Sequence, residues 1–203
     1  MVSVWQAHLS FVLLGFVALC ALRFTAPWRP WLLPVLVVVS FIPVNELPLA
    51  AYVRSFTDDL AISSLVLLAC AVLQRFGLPL AAARDRLLSL GLLFGLAVLL
   101  YPAALGLSYS DPYQLGYAPR PMLLVLGLLS LMLALGRCWL GAALLLLATL
   151  AFTLRLKAST NYWDYLLDPF LALYCLGALA RAAVHWLRAR RPAFHSTITR
   201  NHP

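Results

Sequence analysis

The residues best suited to chemistry lie in one short segment, Ser159 to Pro169, which holds two aspartates and an asparagine. Asn161 is followed three residues later by Asp164, a spacing that predicts a helix start of the capping-box kind. A carboxylate in the first turn is also stabilised by the positive end of the helix dipole. The sequence therefore predicts that a helix begins here and that Asp164 stabilises its start.

Asp168 calls for a different explanation. On a continuous helix it lies one turn beyond Asp164 on the same face, and Pro169 after it removes a helical hydrogen-bond donor. If this helix crosses a membrane, the acid is costly there and is expected to face the bundle interior with a partner. Two interpretations stay open: a buried structural pair with Arg155 or Lys157, or a ligand-binding or proton-transfer site.

A second polar cluster lies between residues 45 and 59. Its charged members are Glu46, Arg54, Asp58 and Asp59. Ser55 with Asp58 fits another capping-box pattern, and the stretch 49–56 is amphipathic enough to lie in a membrane interface. The cluster is interpreted either as a solvated loop with capping acids or as irregular backbone that lines a cavity.

A third polar segment, residues 108–121, carries Asp111 and Arg120 among three tyrosines. Tyrosines beside polar residues suit a sugar or a lipid headgroup, and they also suit the aromatic belt at a membrane interface. Together the three segments predict one candidate polar site on the outer face of a membrane. Its residues are Asp168, Asp164, Asn161, Glu46, Arg54, Asp58, Asp59, Asp111, Arg120, Arg155 and Lys157.

No soluble-enzyme motif accompanies this site. The chain contains no Gly-rich phosphate loop, His-Glu-x-x-His, Gly-x-Ser-x-Gly or Cys-x-x-Cys pattern. The four histidines and four cysteines show no metal-ligand spacing. We therefore expect free thiols and neither a metal nor another cofactor, and the sequence identifies no catalytic residue.

The elements that must position these residues are membrane helices. Of the 203 residues, 64% are hydrophobic and 11% are charged, and the mean hydropathy is +0.92. Soluble domains are about 25% charged, and a soluble chain this short could not bury so much apolar surface. The composition predicts an all-α integral membrane protein.

Seven apolar segments are long enough to be membrane spans, each needing about 20 residues to cross. Six spans plus a re-entrant second segment are the alternative, because Pro34 and Pro43 interrupt that segment. We expect a compact bundle, with one transmembrane domain over 1–187 and a short basic tail over 188–203. The predicted spans are Trp5–Leu22, Trp31–Leu47, Asp58–Arg75, Leu87–Gly106, Pro121–Leu135, Trp139–Leu154 and Tyr162–Leu187.

Charge sets the expected orientation. In the seven-span arrangement, 11 of the 15 Lys and Arg residues fall on one side, and short cytoplasmic loops are rich in these residues. The N-terminus is thus expected outside and the C-terminus in the cytoplasm, with six of the seven acids outside. The net charge of +8 indicates contact with anionic headgroups rather than nucleic acid. The arginine bias and compact chain favour a bacterial inner membrane.

Three functions are compatible with these features. The first is a non-enzymatic accessory or scaffold subunit of an envelope assembly, in contact with the bilayer and with other membrane proteins. The second is a binding or transport bundle for a lipid-linked or sugar-like substrate, with Asp168, Glu46 and Arg54 near the site. The third is an intramembrane transferase or hydrolase that uses the outer carboxylates as a general base. The sequence favours a protein that is not an enzyme.

Overall fold

The computed structural model describes residues 4–22, 28–78, 80–107 and 111–190. These residues are 77% helical and form nine α-helices, a 3₁₀ helix over Pro112–Gly116 and a two-stranded hairpin, β1 (Pro43–Val44) with β2 (Leu47–Pro48). The helices are α1 (Val4–Ala21), α2 (Arg29–Ser40), α3 (Leu49–Thr57), α4 (Ile62–Arg75), α5 (Ala83–Ala104), α6 (Pro119–Leu135), α7 (Trp139–Thr153), α8 (Trp163–Leu166) and α9 (Pro169–Ala189).

Three of these helices, α1, α5 and α9, are long and apolar enough to cross a membrane. Four more, α2, α4, α6 and α7, are apolar but shorter. The predicted all-α class is confirmed, and the three long helices are compatible with a membrane protein. Each of the seven apolar helices overlaps a segment predicted as a span, with ends that differ by a few residues. Of the predicted basic tail, residues 191–203 lie outside the described residues, as do Arg23 and residues 108–110 of the third polar segment.

The second predicted span, Trp31–Leu47, is shorter than expected. Helix α2 ends at Ser40, and the chain turns through the hairpin in which Pro43 opposes Pro48. Asn45 and Glu46 form the tip, both with positive φ, a conformation that asparagine tolerates better than most residues. Helix α3 follows directly over the stretch that the sequence marked as amphipathic.

Helix α7 lies at the centre of the bundle, packed against α4, α5, α6 and α8. Its small buried residues, Gly141, Ala142, Ala148 and Ala151, allow neighbouring helices to approach closely. One hydrophobic cluster joins α5, α6, α7 and α9, and a second joins α1, α2 and α4. The short helix α8 contributes Leu166 to the first cluster and Tyr165 to the second, so it is anchored between them.

The seventh predicted span does not begin at Tyr162 as a continuous helix. The chain forms α8, becomes extended at Leu167 and Asp168, and starts α9 at Pro169. A residue before proline is disfavoured in the helical region, and proline suits the first helical position because the N–H it lacks has no partner there. The expectation that Asp168 lies one turn beyond Asp164 on one helix is therefore wrong.

Candidate functional site

Several polar segments meet at one end of the bundle, which we call the acidic end: residues 54–61, the 3₁₀ helix with its neighbours (111–117), and residues 157–168. Each segment bridges helices, and long-range hydrogen bonds tie the segments together. Four of these bonds link residues that are more than 90 positions apart in the chain. The geometry therefore depends on the tertiary fold.

Asp168 connects the starts of two helices. One carboxylate oxygen accepts the Ala61 backbone N–H at 2.9 Å and the Ser64 hydroxyl. The other accepts the Leu171 N–H at 2.7 Å, which makes Asp168 the N-cap of α9. The side chain is 7% exposed. The expected ion pair with Arg155 or Lys157 is absent from the contacts of the described residues. Three uncharged donors satisfy the acid instead.

Lys157 is the buried cation of this end, at 6% exposure. Its Nζ donates to the carbonyl oxygens of Asp59 (2.7 Å), Leu60 (3.2 Å) and Asp164 (2.6 Å), which matches the three donors of an ammonium group. Burial lowers the pKa of Lys157, while the nearby charges of Asp164, Asp59 and other aspartates act in the opposite direction. The lysine thus joins the segment before α4 to α8.

Arg54 and Asp59 form a two-point ion pair. The Arg54 Nε lies 2.8 Å from one Asp59 oxygen, and Nη2 donates to the other at 3.1 Å, the fork geometry that suits a carboxylate. The predicted capping box of Ser55 with Asp58 is wrong. Ser55 donates back to the Ala51 carbonyl, and Asp58 has φ 54 as the C-cap of α3.

Asn161 is fully buried and holds the start of α8. Its side-chain oxygen accepts the Trp163 N–H at 2.9 Å, and its amide donates to the Tyr113 carbonyl at 3.0 Å. Asn161 thus bonds to the start of a helix, but the N-cap residue of α8 is Tyr162, one position later than predicted. Asp164 does not complete the capping box, because the Asn161 N–H donates to Ser159 instead.

Asp164 accepts hydrogen bonds from the Ser159 hydroxyl and from the Tyr113 hydroxyl, the latter at 3.1 Å. Burial, followed by the charge of Asp164, raises the pKa of Tyr113. The phenol therefore stays protonated and donates to the carboxylate. The pair couples α8 to the 3₁₀ helix, whose own start is capped by Asp111 through the Tyr113 N–H.

Gly116 makes the tightest contact at this end. A Cβ at this position would lie 1.8 Å from the Asn161 Oδ1 and 2.8 Å from a ring carbon of Trp163. The Gly116 carbonyl accepts the Tyr162 N–H at 3.1 Å, and Trp163 donates its ring N–H to Pro112 at 2.9 Å. The close approach requires glycine, and no pattern in the sequence indicated it.

A cavity of about 390 Å³ opens at the acidic end. Six of the eleven predicted site residues line it, whereas Asn161, Glu46, Asp111, Arg120 and Arg155 do not. The four aspartates and two cations in its wall give a formal charge of −2 when all are ionised. Its lining is Arg54, Thr57, Asp58, Asp59, Leu100, Tyr101, Lys157, Ala158, Ser159, Asp164, Leu167, Asp168 and Pro169.

Three predicted residues away from the cavity have other surroundings. Glu46 is exposed at the hairpin tip, and Arg120 is exposed in the first turn of α6. Arg155 is exposed with φ 51 after the end of α7. Tyr101, which the sequence did not mark as a site residue, lines the cavity from α5. Its position one residue before Pro102 was the only local signal.

The opposite end of the bundle, which we call the arginine-rich end, contains a buried acid that the sequence did not single out. Asp85 accepts the Leu140 N–H at 3.0 Å and the Cys138 thiol at 2.9 Å, so it caps α7 from another helix. Burial and the bond to Asp85 raise the pKa of Cys138, which disfavours a reactive thiolate. This cluster is structural.

No known family model, curated protein or solved structure matches this chain. Among the described residues, no group of three or more His, Cys, Asp or Glu side chains is arranged to hold a metal ion. The feature of the acidic end that could bind a ligand is its cavity. This pocket is negatively charged, and it is lined by hydroxyl groups and by charged side chains that are bonded to the backbone.

Proposed function

We propose that all seven apolar helices cross a bacterial inner membrane, with the N-terminus outside and the C-terminus in the cytoplasm. Five arginines at the arginine-rich end, all exposed, support this orientation by the bias of cytoplasmic loops toward basic residues. They are Arg75, Arg84, Arg86, Arg137 and Arg188. In this orientation the acidic end faces the periplasm.

The shorter helices are compatible with this arrangement for different reasons. Helix α7 has 15 residues and is about 22 Å long, less than the roughly 30 Å of hydrocarbon in a bilayer. It packs against α4, α5, α6 and α8, and along its exposed face, which carries Leu146, Leu147 and Leu150, local thinning of the bilayer accommodates a short span. Helix α2, with 12 residues and a length of about 18 Å, is the one for which a re-entrant path remains the alternative.

Reporter fusions test this topology. A reporter active only in the cytoplasm should be active after Arg190 and inactive when inserted at Tyr113. A matched reporter active only outside should give the opposite pattern. Cytoplasmic activity at Tyr113 would contradict the seven-span arrangement.

For the activity, we infer that the protein is a binding bundle whose cavity at the acidic end receives a polar group that donates hydrogen bonds and carries no negative charge. The observation that carries this inference is the set of partners that the two cations of the cavity wall already have. Arg54 is paired with Asp59, and Lys157 is shared among three carbonyls. The three donors of Lys157 are used and the charge of Arg54 is neutralised by Asp59, which disfavours a phosphate or carboxylate. The exposed Asp58 carboxylate and the cavity hydroxyls suit sugar hydroxyls or an ammonium group.

The contacts of Asp168 and Asp164 weigh against either residue as the general base of a hydrolase or transferase. A general base must reach the proton that it removes, and both Asp168 oxygens already accept bonds from the fold. Asp164 is likewise held by Ser159 and Tyr113. An accessory role in an envelope assembly stays a prediction of the sequence.

Two bulky substitutions in one loop test the binding proposal. Ala158 lines the cavity, whereas Thr160, also exposed, does not. In phosphatidylcholine nanodiscs, we expect a monoglucosyl lipid or a long-chain amine to raise the melting temperature of the wild type, because a ligand bound to the folded state stabilises it. Thr160→Trp should keep the shift and Ala158→Trp should lose it.

The two lipids distinguish a sugar ligand from an ammonium ligand. Phosphatidylglycerol, added as the anionic control, should give no shift that depends on the cavity. A shift with phosphatidylglycerol that Ala158→Trp abolishes would contradict the proposal. The proposal would also be contradicted if neither the monoglucosyl lipid nor the long-chain amine shifted the melting temperature.

A further inference from the structure

A second pocket, which we call the apolar groove, lies within the bundle below the acidic cavity. Its volume is about 280 Å³, and its walls come from α1, α4, α5, α7 and α9. Leucines from all five helices line it, for example Leu14, Leu67, Leu90, Leu140 and Leu171. The groove can therefore hold a hydrocarbon group without exposing it to water.

The groove and the cavity share a wall at their junction. Ser64 lines the groove, and its hydroxyl donates to Asp168, which lines the cavity. Leu171 also lines the groove, and its backbone N–H donates to the same carboxylate. Asp59 and Leu60 are neighbours in sequence, the first in the cavity and the second in the groove. One hydrogen-bonded junction thus separates a polar space from an apolar one.

The far end of the groove approaches the arginine-rich end. Gln74 and Arg86 line it there. Ser64 and Gln74 are ten residues apart on α4, which corresponds to about 15 Å along the helix. The groove therefore has a long axis parallel to the helices, the direction in which lipid chains lie in a bilayer.

We propose that the apolar groove holds one hydrocarbon chain of the same amphiphile whose headgroup occupies the cavity. This inference rests on the proposed binding function and adds the class of ligand: a membrane amphiphile with a hydrogen-bond-donating, non-anionic headgroup. Two observations support a hydrocarbon chain as the occupant. The groove adjoins the polar cavity at the junction where Ser64 and Leu171 bond to Asp168, and it runs along helices whose surroundings are acyl chains in the proposed topology.

Another apolar pocket offers a matched control. It has a volume of about 320 Å³ and lies between α1, α4 and α7, lined by residues such as Leu9, Ile62 and Leu147. Unlike the groove, whose Ser64 and Leu171 bond to Asp168, it has no lining residue joined to the cavity by a side-chain hydrogen bond among the described residues. Helix α4 faces both pockets: Ala71 lines the groove and Ala69 lines the control pocket. Both alanines are half-buried.

The test uses a monoglucosyl lipid with a diazirine at mid-chain, incorporated into nanodiscs that contain the full chain. After irradiation, mass spectrometry should locate the wild-type label on residues of the groove. Ala71→Phe should lower this labelling about tenfold, whereas Ala69→Phe should leave it near the wild-type level. Ala81→Phe, which fills the groove from the loop before α5, provides a second variant if Ala71→Phe fails to fold.

Labelling that persists in folded Ala71→Phe and Ala81→Phe would overturn the inference, as would wild-type labelling of the control pocket alone. Methyl glucoside, which has a headgroup and no chain, separates the two proposals. If it still raises the melting temperature through the cavity while groove labelling is absent, the chain assignment fails and the binding function stands. If neither effect is seen, both proposals fail.

Discussion

The two ends of the bundle use aspartate in the same way and differ in what surrounds it. At the arginine-rich end, Asp85 caps α7 from α5 and the arginines around it are exposed. At the acidic end, Asp168 joins α4 to α9, and a buried lysine, an ion pair and a buried asparagine connect the adjoining loops. A single helix cap holds two helices together without a cavity, whereas several linked helix caps can support a cavity. The polar cavity lies at the acidic end.

The largest expected effect comes from Asp168→Ala. It leaves the Ala61 and Leu171 N–H groups and the Ser64 hydroxyl without their acceptor, which should cost about 4 kcal/mol of unfolding free energy. Denaturation in mild detergent measures this loss. Adding Lys157→Met should restore nothing, because Lys157 binds carbonyls and not Asp168. Recovery in the double variant would show that the two charges pair. Asp58→Asn, at an exposed position on the same cavity, is the control with little change.

Gly116→Ala tests the packing that holds the acidic end together. The added Cβ would overlap the Asn161 side chain, so we expect a loss of about 2 to 3 kcal/mol. Hydrogen exchange should also become faster over residues 159–166. Gly177→Ala on α9 is the matched control. A Cβ there would have no neighbour within 4 Å, and alanine is the better helix former by about 1 kcal/mol. Equal losses in both variants would contradict the proposed role of Gly116.

Asp85→Ala examines the arginine-rich end in the same way. Because one helix cap and one thiol bond are lost, the expected cost is about 2 kcal/mol, smaller than at Asp168. Removing the carboxylate also removes one cause of the raised pKa of Cys138, so a maleimide should react with Cys138 faster at a given pH. The increase should be modest, since burial is the larger cause. Unchanged stability would mean that Asp85 is not a structural cap.

The smallest effect concerns pH. Burial lowers the pKa of Lys157 in the folded chain below its ordinary value of 10.5. At a pH between the lowered pKa and the ordinary one, the unfolded chain binds more protons than the folded chain. Stability should therefore rise with pH over that window through this residue. Lys157→Met should remove this part of the pH dependence of the melting temperature, and Arg155→Met, an exposed control, should keep it. A steeper rise in Lys157→Met would contradict the sign.

Local features of the fold were predictable from the sequence. The apolar segments correspond to the seven apolar helices, and the amphipathic stretch before Asp58 forms α3. The Asn161 side chain bonds to the first residue of α8, although the N-cap of that helix is Tyr162. These features depend on patterns within one or two helical turns, where periodicity and capping chemistry act.

The site itself was predicted only in part. The sequence marked six of the cavity-lining residues because charged residues are rare in this chain and are therefore conspicuous. Two of the partners it suggested are incorrect, however: the cation that one of the two interpretations of Asp168 required, and Ser55 for Asp58. Tyr101, Ser64 and Gly116 were missed, since each gains its role from a residue more than 40 positions away in the chain.

By itself, then, the sequence determined that the chain is mostly helical, that its long helices are apolar enough for a membrane, and that acids and arginines concentrate in different loops. The tertiary structure decided which acid caps which helix, where Lys157 finds its acceptors, and that a polar cavity adjoins an apolar groove. The physical reason is the separation along the chain over which each interaction acts. Helix formation and hydropathy are set by neighbouring residues, whereas the bond from Ala61 to Asp168 joins residues 107 positions apart and exists only once the bundle has packed.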